Sequence, residues 1–576
     1  YLKAYLSQKN NLSLHACVFV LLHSSLLSLC ALQNGLVFLI VWEIMSISAA
    51  IAVIFEHEKT STIKAGINYL IQSHIAIVFL LVGFIWVAFR TGSYDFTAVT
   101  QYSLGHPGAA SLFLFLFFFS GFAIKAGFVP FHTWLPYAHP AAPSHISGIM
   151  SGVLIKIGIF GILRFILLID MNYKHIGYII LTISVVSGLY GVMLAIVQHN
   201  LKKLLAYHSI ENIGIIGMGI GTGCIGLGSG NMLMAYLGFA GALLHTLNHA
   251  LFKSLLFFTA GIVYQAIHSL DIEKMGGLIK KLPHTAFLFL VASIAICGIP
   301  PFNGFISEYL IYSGFYHSLQ NASLVTLLLI IFSILGLVLI GGLAMLCFTK
   351  AFGTVFLGTP RHNIHEVACE ASIFQRTPLY LIAALMLSVG LFPGFFLQLL
   401  EKPVMLFVGH SFLPETAGFD TLGIISRAMT GLLLLVAVLF FVKKTLTRKR
   451  SMPVASTWGC AYTGPAAKMQ YTASSFVRTY SKLFSTFLYI RKKERSVKGT
   501  FPAKAGYETH PYDRVERYFI DVPIHLYRLF LRLFTFLQNG KLQIYILYGI
   551  IFIVLVICIP LFFDTIIAFT TFLKKL

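Results

Sequence analysis

The sequence predicts an all-α polytopic membrane protein: a helical bundle of inverted repeats with two broken helices, then an amphipathic surface helix and a final transmembrane helix. Three observations carry that fold class. Of 576 residues 57% are hydrophobic and only 11% are charged, with 52 Phe. Soluble domains carry about 25% charged residues, so this chain could not coat a water-facing surface. Apolar windows of the roughly 20 residues that cross a bilayer core recur throughout, and ionisable residues stand inside several of them. A soluble enzyme and a disordered chain are excluded.

The windows fall near 12–33, 35–55, 64–89, 109–130, 144–169, 175–198, 204–226, 232–262, 284–315, 322–348, 377–400, 421–442 and 544–566. If each crosses once, one side receives the loops with Lys59 and Lys64, Lys202 and Lys203, Lys274, Lys280 and Lys281, Lys350 and Arg361, then Lys443, Lys444, Arg448, Lys449 and Arg450. The other side receives little beyond Arg90, Lys174 and Lys402. The positive-inside rule makes the first side cytoplasmic. The expected organisation is a transmembrane core over 1–400, one additional helix in 401–442, a basic cytoplasmic segment with an amphipathic helix over 443–543, and a last span in 544–576.

The formal charge of +21 follows from these basic loops and the tail. Topology and anionic lipid headgroups account for it, and a nucleic-acid partner is not expected. In the tail, Asp521, His525, Arg528, Arg532, Thr535 and Asn539 recur at four- and three-residue steps opposite Leu526, Leu529, Phe530, Leu533, Phe534 and Leu537, with Gly540 where a helix would end. Such a helix lies along a membrane surface or a partner. The eight Cys are scattered without C-x-x-C or Cys/His ligand spacing, so no metal site, iron–sulfur centre or other cofactor is expected.

The ionisable residues inside spans are Glu43, Lys125, Lys156, Glu211, His245, His249, Lys253 and Glu308. Each charge at mid-membrane costs at least about 2.5–3.5 kcal/mol, which a purely structural span would avoid with Leu. Snorkelling or a structural ion pair competes with function most strongly at Lys253 and Glu211, which read as nearer an interface. His245, His249 and Lys253 are spaced i, i+4, i+8 on one helical face, and imidazoles accept and donate protons near neutral pH. A lone His such as His74 reads as an interhelical hydrogen-bonder. Two spans are also interrupted, one at Gly127, Pro130 and Pro136 after Lys125, the other at Pro300, Pro301 and Gly304 before Glu308. Proline removes a backbone donor, which lipid tolerates only where protein or water satisfies the freed groups. The breaks lie five spans apart, and an odd number reverses topology, as in inverted-repeat transporters.

The stretches 122–161 (FAIKAGFVPFHTWLPYAHPAAPSHISGIMSGVLIKIGIFG), 201–214 (LKKLLAYHSIENIG), 249–261 (HALFKSLLFFTAG) and 298–308 (GIPPFNGFISE) resemble the antiporter-like membrane subunits of complex I, Mrp antiporters and energy-converting [NiFe] hydrogenases. SIENIG and the tail segment 457–476 place the resemblance nearest hydrogenase-4 component B and the formate hydrogenlyase membrane subunit. The resemblance implies a proton relay of Glu43 paired with Lys125, then Lys156, His249 with Lys253, and Glu308; Glu211 and His245 are auxiliary. Asn212 stands where many complex I members carry His, which leaves the route from Lys156 to His249 open, with Glu211 and water as candidates. Further helices before residue 12 are implied too, since the chain starts at Tyr1 and enters a span almost at once.

The implied function is a non-redox, proton-translocating subunit, with Na+ left open, of a hydrogenase or complex I-like assembly in a prokaryotic inner membrane. It would have no catalytic centre of its own. Its partners would be other membrane subunits, further antiporter-like subunits among them, and lipid. An Mrp-type antiporter component without a redox module and a non-pumping scaffold are the alternatives. A carboxylate about 8 Å from an ammonium, at an effective dielectric of about 20, supplies roughly 2 kcal/mol. That is enough for a moving Glu43 to switch Lys125 between holding and passing a proton.

Overall fold

The computed structural model describes residues 12–319, 322–361, 370–409, 419–448, 469–494, 499, 507–538 and 540–574. They form two compact units, Tyr1–Asp513 and Arg514–Leu576. In the first, the helices are α1 (Leu12–Ala31), α2 (Gly35–Val53), α3 (Thr60–Thr91), α4 (Phe96–Gly105), α5 (Ala109–Ala126), α6 (Leu135–Ala141), α7 (Ser144–Leu168), α8 (Tyr173–Ile196), α9 (Leu201–Ser229), α10 (Met232–Ile267), α11 (Pro283–Ile296), α12 (Asn303–Ser318), α13 (Leu324–Phe356), α14 (Ile373–Leu391), α15 (Pro393–Val408) and α16 (Phe419–Thr447). Among the described residues eleven helices are long and apolar enough to cross a membrane.

Both expected interruptions are present. The first separates α5 from α6, the second α11 from α12. Gly127 has φ +88° and Gly298 φ +64°, a backbone region that only glycine enters without a Cβ penalty. The window at 377–400 is corrected: it straddles two helices that meet at Phe392. Pro393 opens the second, where its missing N–H would be unbonded anyway, and hydropathy alone cannot register that stop.

An internal repeat is written into two helix starts. Asn34 caps α2, its side-chain oxygen accepting from the Leu36 and Val37 amides, and it bridges to Asp95. The bridge is closed by Gly35 N–H donating to the Tyr94 carbonyl (2.7 Å) and Phe96 N–H to that of Gln33 (2.8 Å). Asn200 caps α9 and bridges to Asp271 in the same way, with Leu201 N–H on Leu270 (2.9 Å) and Ile272 N–H on His199 (2.8 Å). Each bridge ties the start of its repeat's second helix to the end of its third, and five spans separate the two starts. The repeats are therefore inverted.

Close packing in lipid comes from small residues that let backbones approach. A Cβ on Gly158 would lie 2.5 Å from the Phe122 carbonyl oxygen and 2.7 Å from the Ala126 amide, so α7 crosses α5 backbone to backbone. The last part of the first unit holds two short helices, Ala473–Phe476 and Arg478–Leu483, and a hairpin of β1 (Tyr489–Glu494) and β2 (Tyr507–Tyr512), paired antiparallel from Tyr489 with Tyr512 to Glu494 with Tyr507. Its strands were not expected. Most of the tail segment singled out in the sequence, residues 457–468, lies outside the described residues.

In the second unit, α17 (Val522–Arg532) is the amphipathic helix and α18 (Leu542–Leu573) the last apolar one. The helix is shorter than the polar stripe suggested. The α-turns stop at Arg532, Thr535 sits in a 3₁₀ turn, and Asn539 lies outside the described residues. Gly540, at φ +76°, comes just before Lys541, the residue that caps α18.

Gly158→Ala should lower stability by about 1–3 kcal/mol through overpacking at backbone contact. Thermal unfolding of the detergent-solubilised protein, followed by circular dichroism, reads the loss.

Candidate functional site

Lys125 occupies the last turn of α5 and is 1% exposed. Its ammonium donates to the Tyr69 hydroxyl of α3 at 2.7 Å and to the Ser46 hydroxyl of α2 at 3.3 Å. It also stands 4.9 Å from the Tyr69 ring centre and 5.7 Å from that of Trp42, close enough for cation–π attraction. Among the described residues no direct contact joins Glu43 to Lys125, whose pairing was expected across about 8 Å. The Glu43 carboxylate, 27% exposed, lies 3.1 Å from His74 Nε2 instead. Its second oxygen has no hydrogen-bond partner among the described residues. Ser46 and Glu43, three residues apart on α2, meet different partners. Lys125 meets the hydroxyl and α3 meets the acid. His74 is the interhelical hydrogen-bonder the sequence suggested, and its partner is Glu43.

A second cluster spans α7, α9, α10 and α12. A π-helical turn, Met150–Leu154, precedes Lys156, and such turns inside α-helices concentrate at functional sites. The Lys156 ammonium hydrogen-bonds the Ser151 carbonyl and His249 Nδ1. Lys156 and His249 are therefore in direct contact, with no other side chain between them. His249 Nε2 makes no hydrogen bond among the described residues. One turn earlier, His245 lies 3.1 Å from Asn212 Oδ1 through Nε2 and 2.9 Å from the Ser307 hydroxyl through Nδ1. Asn248 donates to the same hydroxyl at 2.9 Å and to the Asn303 carbonyl at 2.8 Å. Ser307 adjoins Glu308, whose carboxylate packs over Gly298, where a Cβ would meet Oε2 at 2.6 Å.

Glu211 and Lys253 are buried within the protein, and neither lies between Lys156 and His249. Glu211 pairs with His208 one turn away, and Lys253 donates to the Leu205 carbonyl at 2.5 Å. No hydrogen bond joins the Lys125 cluster to the Lys156 cluster among the described residues; the Gly158–Ala126 crossing stands between them.

Two lysines assigned to loops are interior instead. Lys202 is 2% exposed and Lys350 is 0%. Lys202 donates to the carbonyl of Ala142, the residue capping α6. Lys350 donates to the carbonyls of Ile196 and, at 2.8 Å, Gln198 at the end of α8. Both satisfy C-terminal carbonyls that a helix cannot satisfy itself. Hydropathy windows ended short of them, whereas α9 starts at Leu201 and α13 runs on to Phe356. His139, stacked on Phe257 at 4.7 Å, is buried with neither ring nitrogen bonded among the described residues; nothing in the sequence marks it beyond its position in the broken-helix segment.

Residues 33–338 match the family model described as "NADH:quinone oxidoreductase/Mrp antiporter, TM". Hydrogenase-4 component B of Escherichia coli is 39% identical over 393 residues, 68% of this chain and 57% of that one. Formate hydrogenlyase subunit 3 of the same organism is 34% identical over 376 residues, 65% of this chain and 60% of that one. The chain thus spans less than two thirds of the length of either. A chain in the structure of the membrane-bound sulfane sulfur reductase, an archaeal respiratory membrane complex, superposes with a TM-score of 0.72 at 20% identity, covering 97% of this chain and 85% of that one. This is a multi-pass membrane protein of the antiporter-like fold.

Replacing Lys350 with Met should cost about 1.5–3 kcal/mol, as expected for lost hydrogen bonds from a charged donor. Ion movement per assembled molecule should stay unchanged. Melting of the purified protein beside a vesicle transport assay separates this capping lysine from lysines of the path.

Proposed function

We propose that this chain, which belongs to the NADH:quinone oxidoreductase/Mrp antiporter transmembrane family, moves protons along its buried polar groups as one subunit of a larger membrane assembly. The observation that carries this reading is the contact between Lys156 and His249. It brings an ammonium from α7 onto an imidazole of α10. From there His245 and Ser307 continue the polar line to the residue before Glu308. A proton reaching Lys156 passes to the imidazole when the ammonium releases it, and the ring's other nitrogen is unengaged. Amines, imidazoles and hydroxyls bind and release protons. We therefore assign the ion as H+ rather than Na+, which prefers oxygen cages.

In this reading Lys125 is the separate loading group of the first repeat. Glu43 acts on it through space and is held by His74 at 3.1 Å. Filling Lys125 raises the energy of a second charge at Lys156, so the two clusters exchange by electrostatics and by water rather than by a standing hydrogen bond. The redox partner is a hydrogenase or complex I-like module, as the names of the two relatives suggest, and the site of action is a prokaryotic inner membrane in contact with further antiporter-like subunits and lipid. Co-isolated subunits of the native complex test the partner directly.

Lys156→Ala and Glu308→Gln should each lower proton movement at least about tenfold, the factor that corresponds to roughly 1.4 kcal/mol in a barrier, with the complex still assembled. Quenching of a pH-sensitive dye in inverted vesicles measures it. Proton pumping at the wild-type rate in both variants would end the relay assignment.

A further inference from the structure

The first break receives a residue from the far end of the unit. Asp513 follows β2 directly, and its side chain is 2% exposed. Its Oδ2 lies 2.8 Å from His132 Nε2, in the unwound segment between Gly127 and α6, and His132 is itself completely buried. Tyr190 of α8 donates to Oδ1 at 2.6 Å, and Tyr207 of α9 donates to Oδ2 at 3.3 Å. The carboxylate therefore gathers one group from the break and one from each of two second-repeat helices.

The rest of the break is held by single contacts. Ser187 accepts from the Val129 amide at 3.0 Å, Gln72 donates to the Thr133 hydroxyl at 2.7 Å, and the Trp134 indole donates to the Ile124 carbonyl at 2.9 Å. Ile124 is the residue before Lys125. The tail hairpin is fastened elsewhere too. His199 meets the Thr509 hydroxyl at 2.7 Å, and Glu273 accepts from the Ser474 amide and hydroxyl at 2.8 and 2.6 Å. Anchoring the tail does not need a buried carboxylate, whose desolvation is expensive unless it serves several donors.

We propose that Asp513 is a positioning residue for the ion path: through His132 it fixes the unwound segment after Lys125 and ties it to α8 and α9. The role rests on the relay reading above. A break held this way keeps Lys125 on Tyr69 and Ser46, while a loose one lets the last turn of α5 fray.

The test uses membranes holding the full chain in its native complex. In Asp513→Ala, amide exchange across residues 127–134 should rise about tenfold or more and proton movement should fall by a similar factor, as when a buried hydrogen-bonding group loses its partner. The amount of complex should not change. In a His132→Ala background the same substitution should add nothing to either readout, because it acts through the imidazole. Wild-type exchange and wild-type pumping in Asp513→Ala, with Lys156→Ala inactive, overturn the positioning role and leave the relay intact. Full pumping in Lys156→Ala overturns both. Should Asp513→Ala not accumulate, Tyr190→Phe removes one bond to the carboxylate and should shift both readouts the same way; no shift there overturns the proposal.

Discussion

Backbone amides and carbonyls in hydrocarbon must find partners within the protein, and unsatisfied ones cost several kcal/mol each. That constraint organises this molecule. Unbroken helices meet it alone, but a helix that stops mid-bundle cannot. Several of the freed groups are answered by side chains: Ser187 at Val129, Trp134 at Ile124, Lys202 at Ala142 and Lys350 at Ile196 and Gln198. Buried lysines thus do two different jobs. Some complete helix ends, and others sit on hydroxyls or an imidazole where a proton can be exchanged.

The inverted repeat explains why the polar groups come in two sets. In the first repeat, α3 offers Tyr69 to the lysine at the end of α5. In the second, α10 offers His245 to Ser307, just beyond the break after α11. The third helix of each repeat therefore presents a polar ring to its broken helix. The paired Asn–Asp bridges hold those third helices in equivalent register. Between the helices that carry Lys125 and Lys156 stands the Gly158–Ala126 contact, where backbones leave no room for a side chain.

Hydropathy and proline–glycine punctuation are local, so the spans, both breaks and the buried ionisable residues were legible in the sequence. What depends on rotation about a helix was not. Glu43 and Ser46 are three residues apart, yet Ser46 contacts Lys125 and Glu43 contacts His74. Helix ends were misjudged by only a few residues, which sufficed to put Lys202 and Lys350 in water instead of in the core. Folding of the tail back onto the bundle left no periodic trace. His132 and Asp513 are 381 positions apart, and nothing near either one announces the other.

That separation has a consequence for biogenesis. The ribosome delivers the first unwound segment to the bilayer long before it makes the carboxylate that closes it. During translation His132 must therefore be kept by a stand-in, such as water, lipid or insertase, and maturation of the early half waits on the arrival of the late one. Nascent chains stalled before Asp513 is added would hold an inserted but unfinished bundle.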